Sequence, residues 1–157
     1  MKLLQKDTNG FTFHLGKREK SLLLSVLRLY PLIPVSYHRV SREPKAGDSR
    51  ADQALLEETM AAQKLENKGK VAAMMAQKFG LREDKSGYRL SLDAQQLEWL
   101  LQVLNDVRVG SWILLGCPDT DEGQQREITL KTARYYLVME FAGYFQSVLL
   151  DALNGEA

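Results

Sequence analysis

Residues 11–15, Phe-Thr-Phe-His-Leu, alternate apolar and polar, which places Phe11, Phe13 and Leu15 on one face of a short strand. The period then lengthens. In "GKREKSLLLSVLRLYP" Leu22, Val26 and Leu29 recur at helical spacing, and Pro31 ends the run because proline disfavours helical backbone in the residue before it. Residues 31–51 hold prolines at 31, 34 and 44 and a glycine at 47, and read as a long irregular loop with a brief strand in "VSYHRV". A second helical pattern, rich in alanine, methionine and lysine, covers 52–80 and closes at Gly80. A turn at Ser86 and Gly87 leads into a strand through Tyr88, Leu90 and Leu92. Asp93 is placed to cap "AQQLEWLLQVLNDVRVGSWILLG", a strongly apolar helix ending near Gly116 and Pro118. After the polar loop "DTDEGQQRE", a last helix runs from about Leu130 to Leu153.

Two of these segments echo each other. Laying Phe11 on Tyr88, an offset of 77 residues, brings both strand alternations into phase and sets "LLSVL" (23–27) on "LLQVL" (100–104). Each copy reads as strand, turn and amphipathic helix, so the two units could pair their strands and bury both helices on one side. Coincidence between leucine-rich helices is the competing account. The expected fold is mainly α: one domain over residues 1–157, about four helices, and a small two- or three-stranded β element from two β-turn-α units.

One charge disturbs the pattern. On a helical wheel, Gln95, Glu98, Gln102 and Asp106 form a polar stripe, whereas Arg108 falls among Leu97, Leu101 and Trp112, with Asn105 at the edge. An unpaired guanidinium in an apolar interior is costly, so Arg108 must reach water or a carboxylate. The wheel of residues 52–80 gathers Ala54, Ala61, Ala62, Leu65, Ala72, Ala76 and Phe79, with Glu58 in their midst. This predicts an interior polar cluster of Glu58, Asn105 and Arg108 with an ion pair across the core; Arg108 snorkelling past Trp112 is the alternative. Glu140 opposes the stripe of Val138, Phe141, Phe145, Val148 and Leu149 and is expected at the surface.

Composition narrows the setting. The chain has 157 residues, 45% hydrophobic and 26% charged, values ordinary for a folded domain, and no apolar run nears the length of a membrane span. A formal charge of +1 exerts no global pull on nucleic acid or anionic lipid. The N-terminal "MKLLQKDTNG" lacks the apolar core of a secretory leader, and the single Cys117 can form no internal disulfide; both point to the cytoplasm. Neither His14 nor His38 has a ligand partner at metal spacing, no phosphate-binding glycine loop occurs, and "DTDEG" lacks the closing glutamate of a calcium loop. No metal or cofactor is expected. Cys117 follows a helix C-terminus, where the dipole opposes a thiolate. Arg39, Arg42 and Lys45 gather in the long loop, where they could contact phosphate or a partner.

The stretch "LSLDAQQLEWLLQVLNDVRVGSWILLG", with Trp99, Leu104, Asn105, Asp106, Arg108 and Gly116, resembles the bacterial family known as domain of unknown function 2017. "LLEETMAAQKLENKGKVAAMM" resembles that family's preceding long helix. The resemblance implies an α-rich intracellular bacterial protein related to actinobacterial transcription regulators that respond to oxidative stress. Their regulation is associated with a cysteine pair; with Cys117 alone, switching between two thiols does not carry over.

These readings favour a non-enzymatic regulatory or interaction module with a protein partner. A small-molecule-binding or enzymatic domain built on the interior cluster is the runner-up: an enclosed cavity beside Glu58, Asn105 and Arg108 would favour it, and mutual hydrogen bonding without a cavity would favour a structural role. DNA binding through Arg39, Arg42 and Lys45 stands third. Self-association through Tyr135, Tyr136 and Tyr144 stays open, and no membrane contact is expected.

Overall fold

The structure, a computed structural model, describes residues 1–32, 49–76, 80–116 and 129–155. Among the described residues eight elements follow in order: β1 (Lys2–Asp7), β2 (Gly10–Leu15), α1 (Lys17–Leu27), α2 (Ser49–Met75), β3 (Leu81–Asp84), β4 (Gly87–Leu92), α3 (Ala94–Leu114) and α4 (Leu130–Asn154). The strands form one antiparallel sheet in the order β1-β2-β4-β3. The fold is mainly helical, as expected, but the sheet has four strands rather than two or three.

Both missed strands are edges. In β1, the exposed Lys2, Leu4, Gln5, Lys6 and Asp7 hide any alternation, and a bulge between Leu3 and Gln5 breaks the two-residue period. In β3 only Leu81 is buried. An edge strand with one inward apolar residue leaves almost no periodic signal.

The echo at offset 77 is a structural repeat. Phe13 lies opposite Leu90 in the central β2–β4 pair, and 77 residues separate them, so an approximate twofold axis passes through that pair. Asp7 and Gly10 close the first hairpin as Asp84 and Gly87 close the second. Each aspartate accepts from the turn backbone: Asn9 N donates to Asp7 Oδ1 at 2.8 Å and Lys85 N to Asp84 Oδ1 at 2.8 Å. The helix starts also correspond. Gly16 N donates to Glu19 Oε2 at 2.8 Å, and Asp93 N donates to Gln96 Oε1 at 2.9 Å while Gln96 N donates to Asp93 Oδ1 at 2.7 Å. Leu23–Leu27 and Leu100–Leu104 share one burial sequence: buried, half-buried, exposed, buried, buried.

The element order continues as strand, strand, helix, helix in both halves, but α3 and α4 pack closely against each other whereas α1 and α2 do not. Among the described residues of α2 the buried ones are Asn67, Val71 and Met74; among those of α4 they are Ala142, Phe145, Gln146, Leu149 and Ala152. The structural repeat is therefore a β-hairpin with the helix that follows it, β1-β2-α1 and β3-β4-α3. Phe11, Phe13, Leu15, Leu90 and Leu92 cover the inner sheet face, and Leu23, Leu27, Leu97, Leu100, Leu104 and Phe145 from the helices close the core over them. Lys6 ties the sheet edge to α4 by donating from Nζ to Ala152 O at 3.0 Å and Leu153 O at 2.9 Å, a cation set at a helix C-terminus.

Candidate functional site

The predicted interior cluster is at the surface. Glu58, Asn105 and Arg108 are all exposed, and no ion pair joins Glu58 to Arg108. Instead, Arg108 Nη1 donates to Oε1 of the buried Gln146 on α4 at 3.4 Å. The reason lies in α2. Its alanine-rich stripe faces outward, with Leu65 72% exposed, while Asn67, Val71 and Met74 on the opposite side meet the core. Alanine is short enough for either side of a helix, so the wheel alone selected the wrong one. On α3 the apolar neighbours of Arg108 are also partly in water, Val109 and Trp112 being 38% and 37% exposed.

Arg108 and Asn105 nevertheless border a recess. Together with Val109, Trp112 and Met139 of α4 they line an open depression of about 300 Å³. Leu114 and Leu137 add exposed apolar surface to the same two helices. Across α3, a second depression of about 320 Å³ lies against α2, where Tyr30, Gln63, Asn67, Gln102, Asn105 and Asp106 contribute to its lining. There Asn67 Nδ2 donates to Tyr30 Oη at 3.4 Å and Gln63 Nε2 to Gln102 Oε1 at 3.3 Å. Burial pushes the Tyr30 hydroxyl above its ordinary pKa, the Asn67 hydrogen bond opposing and the Asp106 charge reinforcing the shift. Asn105 belongs to both recesses. Glu58 borders neither among the residues that line them.

The outer sheet face carries a further arrangement that the sequence did not disclose. Lys2, His14, Arg89 and Arg82 are successive cross-strand partners, so their side chains form one row over all four strands. Arg89 Nη2 donates to Asp84 Oδ2 at 2.9 Å, and His14 Nε2 lies 3.1 Å from Ser86 Oγ. The Lys85 backbone amide, then the Arg89 hydrogen bond, hold the Asp84 carboxyl below its ordinary pKa. Only the strand register brings the row together, and two of its four residues stand on the unrecognised strands.

Arg39, Arg42, Lys45, His38, Cys117, Phe79 and the acidic loop lie outside the described residues, as does the strand expected in "VSYHRV". Tyr135 and Tyr136 are half-buried on α4, and the exposed Tyr144 donates from its hydroxyl to Glu19 Oε1 at 2.9 Å. Glu140 is exposed. Among the described residues no three His, Cys, Asp or Glu side chains converge as a metal site, and no helix is long and apolar enough to cross a membrane.

The profile of one family, described as Domain of unknown function (DUF2017), matches residues 40–153. The chain belongs to the DUF2017 family. No curated protein and no solved structure matched it. The DUF2017 match spans α2, the second hairpin, α3 and α4, so both depressions beside α3 have walls within it.

Proposed function

We propose that this DUF2017 protein is a non-enzymatic regulatory or interaction module that binds a protein partner at the depression between α3 and α4. The observation that carries the reading is the half-exposed Trp112, set with Arg108, Val109 and Met139 around a shallow recess. Tryptophan and arginine beside apolar groups are the side chains that concentrate binding energy at protein interfaces. A bacterial cytoplasmic setting and a role in transcription, suggested by the resemblance to actinobacterial regulators, belong to the same proposal. The runner-up, a small-molecule or enzymatic domain, was built on an interior cluster whose three side chains lie in water.

The test is a pull-down from the native cell with the full chain, with Trp112→Ala and with the triple variant Arg39→Ala, Arg42→Ala, Lys45→Ala, each checked for an unchanged thermal melt. A protein retained by the wild type and the triple variant but lost with Trp112→Ala is the expected result. Equal retention by Trp112→Ala overturns the assignment.

The row of Lys2, His14, Arg89 and Arg82 favours a second reading, contact with a nucleic-acid backbone on the outer sheet face. It requires that binding to a short duplex weaken steeply with added salt and fall further in Arg82→Ala, Arg89→Ala. Binding that ignores salt removes this reading.

A further inference from the structure

The outward side of α2 carries an exposed stripe of two leucines, small residues and one glutamate. Leu55, Glu58, Ala62, Leu65, Gly69 and Ala72 recur at alternating intervals of three and four, the spacing of a coiled-coil seam, and all six are exposed. They lie diametrically across the helix from the buried Asn67, Val71 and Met74. Leu55 and Leu65 are 65% and 72% exposed, and no atom stands within 4 Å of the place a Cβ would take at Gly69. Within one chain, nothing among the described residues covers this side.

The geometry points to a second copy of this chain as the occupant, with the two α2 helices antiparallel. When the seam is laid against itself head to tail about its midpoint between Ala62 and Leu65, Leu65 meets Ala62 of the second copy and Leu55 meets Ala72 of the second copy. Glu58 then meets Gly69 of the second copy. Every long side chain faces a short one, so the helices can approach closely without overlap. Charge follows the same order. Glu58 lies in the N-terminal half, and Lys68 and Lys70 flank Gly69 in the C-terminal half. The antiparallel arrangement sets each Glu58 between two ammonium groups. Lys70 also holds Glu66 of its own helix at 2.7 Å, leaving the flank balanced rather than purely basic. A parallel arrangement would stack Glu58 on Glu58, opposing like charges, and would set the short Ala62, Gly69 and Ala72 against their own copies, leaving gaps beside the Leu65 pair. This surface is separate from the α3–α4 depression, so the two proposals stand or fall independently.

The test uses analytical ultracentrifugation of the full chain at moderate salt. The wild type is expected at twice the 17.8 kDa chain mass. Leu65→Lys is expected to weaken association by at least ~30-fold. Two charge reversals, Glu58→Lys in one protein and Lys68→Glu, Lys70→Glu in another, are each expected to sediment as monomers, and their equimolar mixture as a dimer. All the altered side chains are exposed, and an unchanged circular dichroism spectrum verifies that each variant is folded. A wild type that stays monomeric overturns the proposal, as does a dimer indifferent to Leu65→Lys. A mixture of the two reversals that remains monomeric overturns the antiparallel pairing.

Discussion

Replacing Gly10 by alanine tests the repeat at the point where it is tightest. Gly10 opens β2 with φ at +135°, and a Cβ there would sit 2.2 Å from the carbonyl oxygen of Leu92 at the end of β4. Its counterpart Gly87 opens β4 at φ +158°, and its Cβ would sit 2.5 Å from the carbonyl oxygen of Leu15 at the end of β2. Both obstacles are backbone, so neither can swing aside. Relief requires the central strands to separate by about 0.8 Å at Gly10 and about 0.5 Å at Gly87 before even a 3.0 Å contact is reached. Unfavourable φ costs about 1–3 kcal/mol, and the strand displacement adds to it, against about 0.4–1 kcal/mol returned by the stiffer unfolded chain. A net loss of about 2–4 kcal/mol for Gly10→Ala is expected, a large part of the ~5–15 kcal/mol that holds a domain together. In a chain of this length that lowers Tm by roughly 5–15 °C. The assay is thermal unfolding by circular dichroism, paired with urea titration to check that the m-value is unchanged. Gly143→Ala, on α4 with no atom within 4 Å of its Cβ position, is the control and should gain up to about 1 kcal/mol. A Gly10→Ala protein melting within about 2 °C of wild type would refute the close approach, and with it the register that defines the axis.

Three further outcomes follow from the same structure. Arg108→Ala should change stability by no more than about 0.5 kcal/mol in chemical denaturation, since its exposed guanidinium has a long contact with Gln146; a loss near 3–5 kcal/mol would restore the buried ion pair. Asp93→Ala should cost about 1 kcal/mol by removing the cap of α3, whereas Asp93→Asn should lose only a fraction of that. Because burial raises the Tyr30 pKa in the folded state, its contribution is fully present below the unfolded value of about 10 and is lost as pH climbs through the raised folded value. Stability should therefore decline above pH ~10 less steeply in Tyr30→Phe than in wild type, as followed by urea midpoints.

The legible parts of the sequence were those where one periodicity had one meaning. The alternation of Phe11, Phe13 and Leu15 and the Asp93 cap each mark an element, and the echo between Leu23–Leu27 and Leu100–Leu104, which leaves coincidence open in the sequence, matches the repeat that the strand pairing shows. Edge strands escaped because their one-sided burial rests on single residues, Leu3 in β1 and Leu81 in β3. The polar site failed for another reason. In α2 the buried side is marked by Asn67, Val71 and Met74 and the open side by alanines and leucines, so hydrophobicity points away from the core. A helix that also presents an apolar outer side cannot be oriented from its own residues. Of the three cluster residues, Asn105 and Arg108 still border a recess, because α3 carries one on each flank.

The position where Phe13 faces Leu90 has a consequence for how the two halves could diverge. It is the single place in the sheet where a repeated site meets its own counterpart, and both side chains are wholly enclosed. A molecule assembled from two identical first halves would force phenylalanine against phenylalanine there, overfilling a closed space at roughly 1–3 kcal/mol, while two identical second halves would leave a leucine pair with a void. Unequal residues at this one locus, one large and one smaller, let the two halves fill the enclosed space where they meet.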